Sequence, residues 1–366
     1  MIIIAPDKFK GTMTAPDVAA TIADVLDSSM PCRLCPMADG GEGTAATLAA
    51  LHGMKAMTIG GFNSLMQPVG DVAYYVSPDG DGGGGGATVA LDCATVLSLT
   101  LLDRPDVMHA SSMALGLMMA GIARRHPGAR MLLGVGGTST CDGGAGMLQG
   151  LGARFAGINR PVTPLDTVTA VDLATMTPLP PVTALCDVDV PLAGALDFAA
   201  QKGARADDMP VLARFLAAID RCYPRRDVPT PSAGAAGGIG LALARCLGAT
   251  IVDGADAFVR TITSRPDMAS PALVITGEGR LDRQTAMGKL PSRIARHYRA
   301  RSVPTVVVAG SVAPDAPVGH FDLVIDCSRY ALPGEPLTPS TARRRLRDAI
   351  AHNLPALLRL ANPKIP

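Results

Sequence analysis

Acids, glycines and a few lysines recur together along this chain. Asp7 precedes Lys8 and Lys10, and Asp39-Gly40-Gly41-Glu42-Gly43 follows the next apolar run. Asp187 and Asp189 stand two apart, and Glu278-Gly279-Arg280-Leu281-Asp282 precedes Lys289. Each cluster comes just after a short apolar segment that reads as a strand. Open parallel sheets bind ligands at the carboxyl ends of their strands. Glycines there let backbone amides approach a charged group. Carboxylates in that position repel a bare phosphate, so a divalent cation is expected with them. Mg²⁺ suits the role, because it takes one or two carboxylates plus substrate phosphate oxygens. Lysine supplies a compact positive charge. Together these residue types read as phosphoryl transfer.

Lysine is scarce enough to be informative. The chain holds 33 Lys plus Arg, and only Lys8, Lys10, Lys55, Lys202, Lys289 and Lys364 are lysine. Lys10, Lys202 and Lys289 all lie beside glycine and acid motifs. Other chemistries lack their signatures. No segment reads GxxxxGK[ST] or GxGxxG, which disfavours a P-loop or a dinucleotide-binding domain. The six histidines stand alone and no Gly-x-Ser-x-Gly elbow occurs. Cys32 and Cys35 have CxxC spacing but no second pair, so two structural thiols are expected.

The elements that must carry these motifs alternate strand and helix. Strand 2–5 is followed by Thr14-Ala15-Pro16-Asp17, a helix start with a capping residue, an early proline and an early acid. A second strand near 33–37 enters the Asp39 motif and an Ala-rich helix. Segments 69–76 and 87–93 read as two strands joined by Gly80–Gly86, with the five glycines 82–86 as a hairpin tip. A Met-rich helix near 112–125, a strand at 131–135, a Pro-rich stretch at 161–181 and a charged connection at 205–228 follow. Strands at 272–275, 305–308 and 322–325 then restore the opening rhythm. The expectation is an α/β protein. One doubly wound parallel domain comes from both chain ends (1–62 with 258–366), and an inserted mixed α/β domain from 63–257.

Composition agrees with a folded enzyme: 366 residues, 48% apolar and 18% charged, with net charge +1. No charge block points to nucleic acid or a membrane surface as partner. The run Arg343-Arg344-Arg345 reads as a solvated helix face. The N-terminus lacks a basic start and a cleavage site, no apolar run reaches the ~20 residues of a membrane span, and eight cysteines are scattered. A cytoplasmic location is expected.

Seven blocks then carry a family resemblance. Ala5–Thr12 resembles the opening APDSFKGS of the type I bacterial glycerate kinases, and Pro36–Thr44 matches their PMADGGEGT. Asp142–Gln149 matches DGGAGMLQ, Cys186–Asp189 resembles CDVDNPL, and Gln201–Ala204 resembles PQKGA. Ala233–Gly240 is similar to GAGAAGGLG, and Ile275–Asp282 matches ITGEGRLD. The resemblance covers the whole chain in order. It implies two α/β domains, one of them flavodoxin-like, with nucleotide and glycerate bound between them. It also implies transfer of the ATP γ-phosphate to the 2-hydroxyl of D-glycerate, giving 2-phosphoglycerate and ADP. Transfer to the 3-hydroxyl or to another small hydroxy acid stays open. So does a non-catalytic relative that binds nucleotide or sugar acid, and whether copies form a homo-oligomer.

On this resemblance the catalytic candidates are Asp187, Asp189, Lys289 and Lys10. One aspartate would take the hydroxyl proton, and the lysines would face phosphate. Substrate and nucleotide would meet Asp7, Asp39, Gly40, Gly41, Glu42, Gly143, Gly144, Gly237, Gly238 and Arg280. The glycines would act through backbone amides and Arg280 as a bidentate carboxylate clamp. Asp189, Glu278 and Asp282, the last two flanking a glycine turn, would hold Mg²⁺. Caps, turn pairs and tight helix–strand packing are the competing readings.

This chain also departs from the pattern. It has Ala110–Gly116 where the family has TTSYGTG, Cys141 where an Asn precedes DGG, and Val190 in place of the Asn of CDVDNPL. Asp92 stands for a Glu, and the stretch 191–201 is short. These departures are expected to bear on substrate contacts.

Overall fold

The computed structural model describes residues 1–26, 30–78, 86–225, 230–286 and 289–362. Along the chain, β1 (Ile2–Pro6) leads to α1 (Ala15–Leu26) and β2 (Cys32–Leu34). Then come α2 (Thr44–His52), β3 (Lys55–Phe62), β4 (Pro68–Val76), β5 (Thr88–Asp92), α3 (Ala94–Leu97) and α4 (Met113–Arg125). β6 (Arg130–Gly134), α5 (Ala145–Gly150), the short pair β7 (Arg154–Phe155) and β8 (Val171–Asp172), and β9 (Val182–Cys186) follow. Next are α6 (Met209–Cys222), α7 (Ala235–Arg245) and β10 (Thr250–Asp253). The chain closes with α8 (Gly254–Thr263), β11 (Leu273–Leu281), α9 (Arg283–Ala286), α10 (Leu290–Arg299), β12 (Thr305–Val312), β13 (Leu323–Asp326) and α11 (Pro339–Ala361).

Two compact units result: Met1–Asp39 with Ala255–Pro366, and Gly40–Gly254. In the end unit a wholly parallel sheet has the order β13-β12-β11-β1-β2. Counted within the unit this is 2-1-3-4-5 from the other edge, the flavodoxin-like doubly wound order. Period-2 alternation covers both faces. Val306 and Val308 pack with Ile22 of α1 and Leu346 and Ile350 of α11, while Val307 and Ala309 pack with Ala295 of α10. Thr14 starts α1 as expected, its hydroxyl accepting from the Asp17 amide and donating to the Asp17 carboxylate.

The middle unit holds a mixed sheet of order β10-β9-β6-β5-β4-β3, parallel from β10 to β5 and antiparallel beyond. Gly40–Phe62 belongs here, so the boundary expected at 62 falls at 39. The reason is strand pairing: β3 adds to β4 over Lys55–Phe62 at the sheet's edge. β4 and β5 pair as the expected hairpin strands, but of the glycine tip only Gly86 lies within the described residues.

Three further expectations change. The 205–228 connection contains α6, whose Leu212, Phe215, Leu216 and Ile219 form a buried helical stripe behind Pro210 in the first turn. β11 runs through Glu278 to Leu281 instead of ending near 275 before a glycine turn at Gly279, because it keeps pairing with β12 as far as Val312. The arginine run is ion-paired, not merely solvated. Arg345 is 9% exposed and donates to Glu335, which also takes Arg344, and Arg343 meets Asp17. Cys32 and Cys35 are free thiols, with Cys35 buried beside Met268.

One carboxylate anchors the middle unit. Asp142 is fully buried and accepts from the Ser112 amide and hydroxyl (2.7 and 2.8 Å) and from the Gly144 and Gly146 amides (3.1 Å each). Asparagine has one acceptor oxygen and would turn an NH₂ toward these donors. Asp142→Asn is therefore expected to lower stability by about 3 kcal/mol in urea melts.

Candidate active site

The reversal of strand order in the end unit lies between β1 and β11, and ligands bind outside the carboxyl ends at such a point. Asp7 follows β1 directly, its amide donating to the Gly277 carbonyl at 2.8 Å. Glu278 stands near the end of the neighbouring strand, 6% exposed, and accepts from the Thr285 hydroxyl at 2.6 Å. Asp39 follows β2 and meets the Lys8 ammonium at 3.4 Å. Burial, then the nearby Asp39 charge, push the Asp7 carboxyl up to about 7, against relief from Lys8. Burial likewise pushes Glu278 up to about 7, while Thr285 and Lys289 pull it down. Two carboxyls raised in this way at a sheet's switch point make these strand ends the candidate site.

Cations surround the same strand ends. Lys289 lies 3.7 Å from Asp282 and Arg280 lies 3.9 Å from it, and both basic side chains are largely exposed. Lys10 is exposed too, and Gly279 packs so closely on Phe9 and Lys10 that its missing Cβ would lie 3.0 Å from the Lys10 amide. The end unit thus gathers Asp7, Lys10, Asp39, Glu278, Arg280, Asp282 and Lys289 on its β1, β2 and β11 connections.

The remaining candidates belong to the middle unit. The Gly40 carbonyl accepts from the Val135 amide at 2.9 Å, and a Cβ on Gly40 would lie 2.8 Å from the backbone of Leu185 and Cys186. With φ near +100°, the position tolerates only glycine well. This brings Gly41 and Glu42 over the ends of β6 and β9: Glu42 covers Gly137, and Gly41 lies against Gly136. Asp187, exposed beyond β9, also lies against Gly136. Asp189 does not share a strand with it, since β9 stops at Cys186, and Asp189 accepts from the Ser232 amide at 2.8 Å.

Three of the motif glycines already use their amides within the protein. The Gly143 amide donates to the Gly237 carbonyl, the Gly144 amide to Asp142, and the Gly238 amide to the Gly234 carbonyl. The Cβ position of Gly237 is filled by the Thr140 carbonyl. Asp92 caps α2 from another strand, accepting from the amides of Gly43 and Ala45. The departures at 110–116 and 141 likewise fall in the interior. Ser112 serves Asp142 and the Met147 amide, and Cys141 is fully buried with its thiol pushed up to about 11. Sequence reasoning tied them to substrate because it placed them near glycine motifs, and those motifs are themselves structural. One residue was noticed for its scarcity but given no role: Lys202 is 4% exposed and donates to the Thr140 carbonyl at 2.8 Å.

The sequence profile of the glycerate kinase family matches residues 2–351. This chain belongs to that family. It is 32% identical over 336 residues to the glycerate kinase of Bacillus subtilis, covering 86% of each chain. It is 31% identical over 343 residues to the glycerate 2-kinase of Escherichia coli, covering 87% of each. A solved structure assigned as glycerate kinase 2 of Salmonella typhimurium LT2 superposes with a TM-score of 0.79 at 26% identity, over 98% of both chains. The protein is a kinase of this family, whose substrates are glycerate and a nucleotide. No helix among the described residues is long and apolar enough to cross a membrane.

The raised carboxyls set a pH dependence. The folded protein holds these protons more tightly than the unfolded chain. Their contribution to stability is therefore full below about pH 4 and lost as pH rises through about 7. Asp7→Asn should flatten that decline. Its thermal melts should match wild type near pH 4 and exceed it by about 1–2 kcal/mol near pH 8.

Proposed function

We propose that this kinase uses ATP to phosphorylate D-glycerate at the 2-hydroxyl, yielding 2-phosphoglycerate and ADP. The observation that carries the reading is the meeting of Asp7 and Glu278, both titrating near 7, at the switch point of a parallel sheet flanked by Lys10, Arg280 and Lys289. Acids there would repel polyphosphate unless a cation joined them. Among the described residues no three His, Cys, Asp or Glu side chains cluster closely enough to cage an ion. Mg²⁺ needs few protein ligands and completes its shell with water and phosphate oxygens. Glu278 and Asp282 would hold it in the end unit, with Asp189 as the candidate in the middle unit. When bound, it would screen the phosphate charge against these carboxylates.

The chain's own residues then divide the work. Lys289 and Lys10, both exposed, would face the phosphates, and Arg280 would offer a planar fork to a carboxylate. Asp187 is the better base of the two middle-unit aspartates. Both are exposed, but the Ser232 amide already bonds Asp189, while Asp187 lies beside Gly136 at the end of β6. It would take the proton of the attacking hydroxyl. The Escherichia coli relative's name favours the 2-position, and a cytoplasmic location suits the free thiols of all eight cysteines.

Coupling to enolase without phosphoglycerate mutase tests the position, because only the 2-phosphate yields phosphoenolpyruvate. Prompt product is expected. ADP release that needs added mutase would point to the 3-hydroxyl. Excess EDTA should abolish turnover and added Mg²⁺ restore it. Asp187→Asn and Lys289→Met should each lower kcat on the order of a hundredfold with unchanged melting. Asp189→Asn should instead cost stability more than rate.

A further inference from the structure

A buried ammonium in the middle unit lacks a matching anion. Lys202 ends a short turn, Ala200–Lys202, held by Gly203 at φ +98°, where a Cβ would strike the Pro105 carbonyl. Its side chain enters the loop that follows β6. There it donates to the Thr140 carbonyl at 2.8 Å and, more weakly, to the Thr138 hydroxyl at 3.4 Å. Both acceptors are neutral, and among the described residues no carboxylate lies within ion-pair distance of the ammonium. Burial lowers its pKa, and the neighbouring Cys141 thiol, then Asp142 and Asp187, partly restore it, while burial also pushes that thiol up to about 11 and so disfavours a thiolate as the missing anion. An ammonium has three donors, so one remains without an acceptor. Burying a charge on neutral partners alone is costly, and a methionine would fill the space without that cost.

A second orphan stands beside it. The Thr140 hydroxyl is buried and has no hydrogen-bond partner. The loop that bears it cannot relax to find one. Ser139 between the two threonines is tied to Leu97 and Ser64, and the Thr140 carbonyl fills the space left by Gly237. A buried ammonium with one donor to spare and a buried hydroxyl without a partner thus converge on residue 140 of the loop beyond β6. Asp187 borders that loop at Gly136.

We infer that Lys202 and the Thr140 hydroxyl form an anion-binding subsite that receives one oxyanion of the substrates, either the carboxylate of the hydroxy acid or a nucleotide phosphate. The subsite rests on the phosphotransfer reading above for its choice of anion, not for its existence. Its free energy is stored in the unliganded protein as two unmet polar groups and is recovered when the anion arrives. This gives it a signature that a structural lysine lacks: removing the groups should help folding and harm binding.

The test measures full-length wild type, Lys202→Met and Thr140→Val by calorimetric titration with D-glycerate, MgADP and inorganic phosphate separately, and by thermal melts without ligand. Both variants should melt at or above the wild-type temperature. Lys202→Met should bind one of the two substrates at least tenfold more weakly. Loss confined to D-glycerate assigns the subsite to the carboxylate, and loss confined to MgADP and phosphate assigns it to phosphate. Unchanged binding of every probe, or a lower melting temperature with binding retained, overturns the proposal. Should Lys202→Met fail to fold, Thr140→Val decides by the same criteria. Wild type that turns over no D-glycerate while Lys202→Met still loses phosphate binding would sink the functional reading and leave the subsite standing.

Discussion

Parallel strands all deliver their carboxyl ends to one edge, and whatever the sequence places there must coexist. In the end unit that edge receives Asp7 and Glu278 from adjacent strands and Asp39 from the next one. Burial removes much of the water that would keep Asp7 and Glu278 ionised, and their neighbours' charges add to the strain. The Lys8 amide, the Lys8 ammonium and the Thr285 hydroxyl offset only part of it. The sheet edge therefore carries carboxyls whose ionised form only a cation would further stabilise. Everything packed behind it serves to keep those strands in register: α1 and α11 on one face, α10 on the other.

The middle unit solves a different problem with similar residues. Its glycine-rich loops lie against strand ends at backbone distance, Gly40 on Leu185 and Cys186, Gly237 on Thr140. Such approach excludes any side chain and makes the loops rigid. Asp142 and Asp92 then act as acceptors for amides that the loops and helix starts leave unpaired. A motif of acid and glycine can thus serve as a joint within the fold or stay open to a ligand. The deciding quantity is whether the carboxylate's hydrogen-bonding capacity is already taken up by the backbone.

The sequence by itself determined the alternation of strands and helices, the parallel sheet formed from both ends and the residue classes at the strand ends. These are local consequences of apolar period, capping residues and short apolar runs, so Thr14, the β12 alternation and the Met113–Arg125 helix are legible without a structure. The family resemblance rested on the same contiguous blocks. Tertiary structure alone decided which acids are taken up by backbone amides, because that depends on partners distant in sequence. Asp142 meets Ser112, Asp92 meets Gly43, and Glu278 stays in a strand because β12 pairs beyond it. It likewise decided that Gly40–Phe62 joins the middle unit, through an edge pairing that no local pattern encodes. Lys202 shows the limit most clearly. Its scarcity was visible in the composition, but its burial without an anion is a property of the packed loop around it.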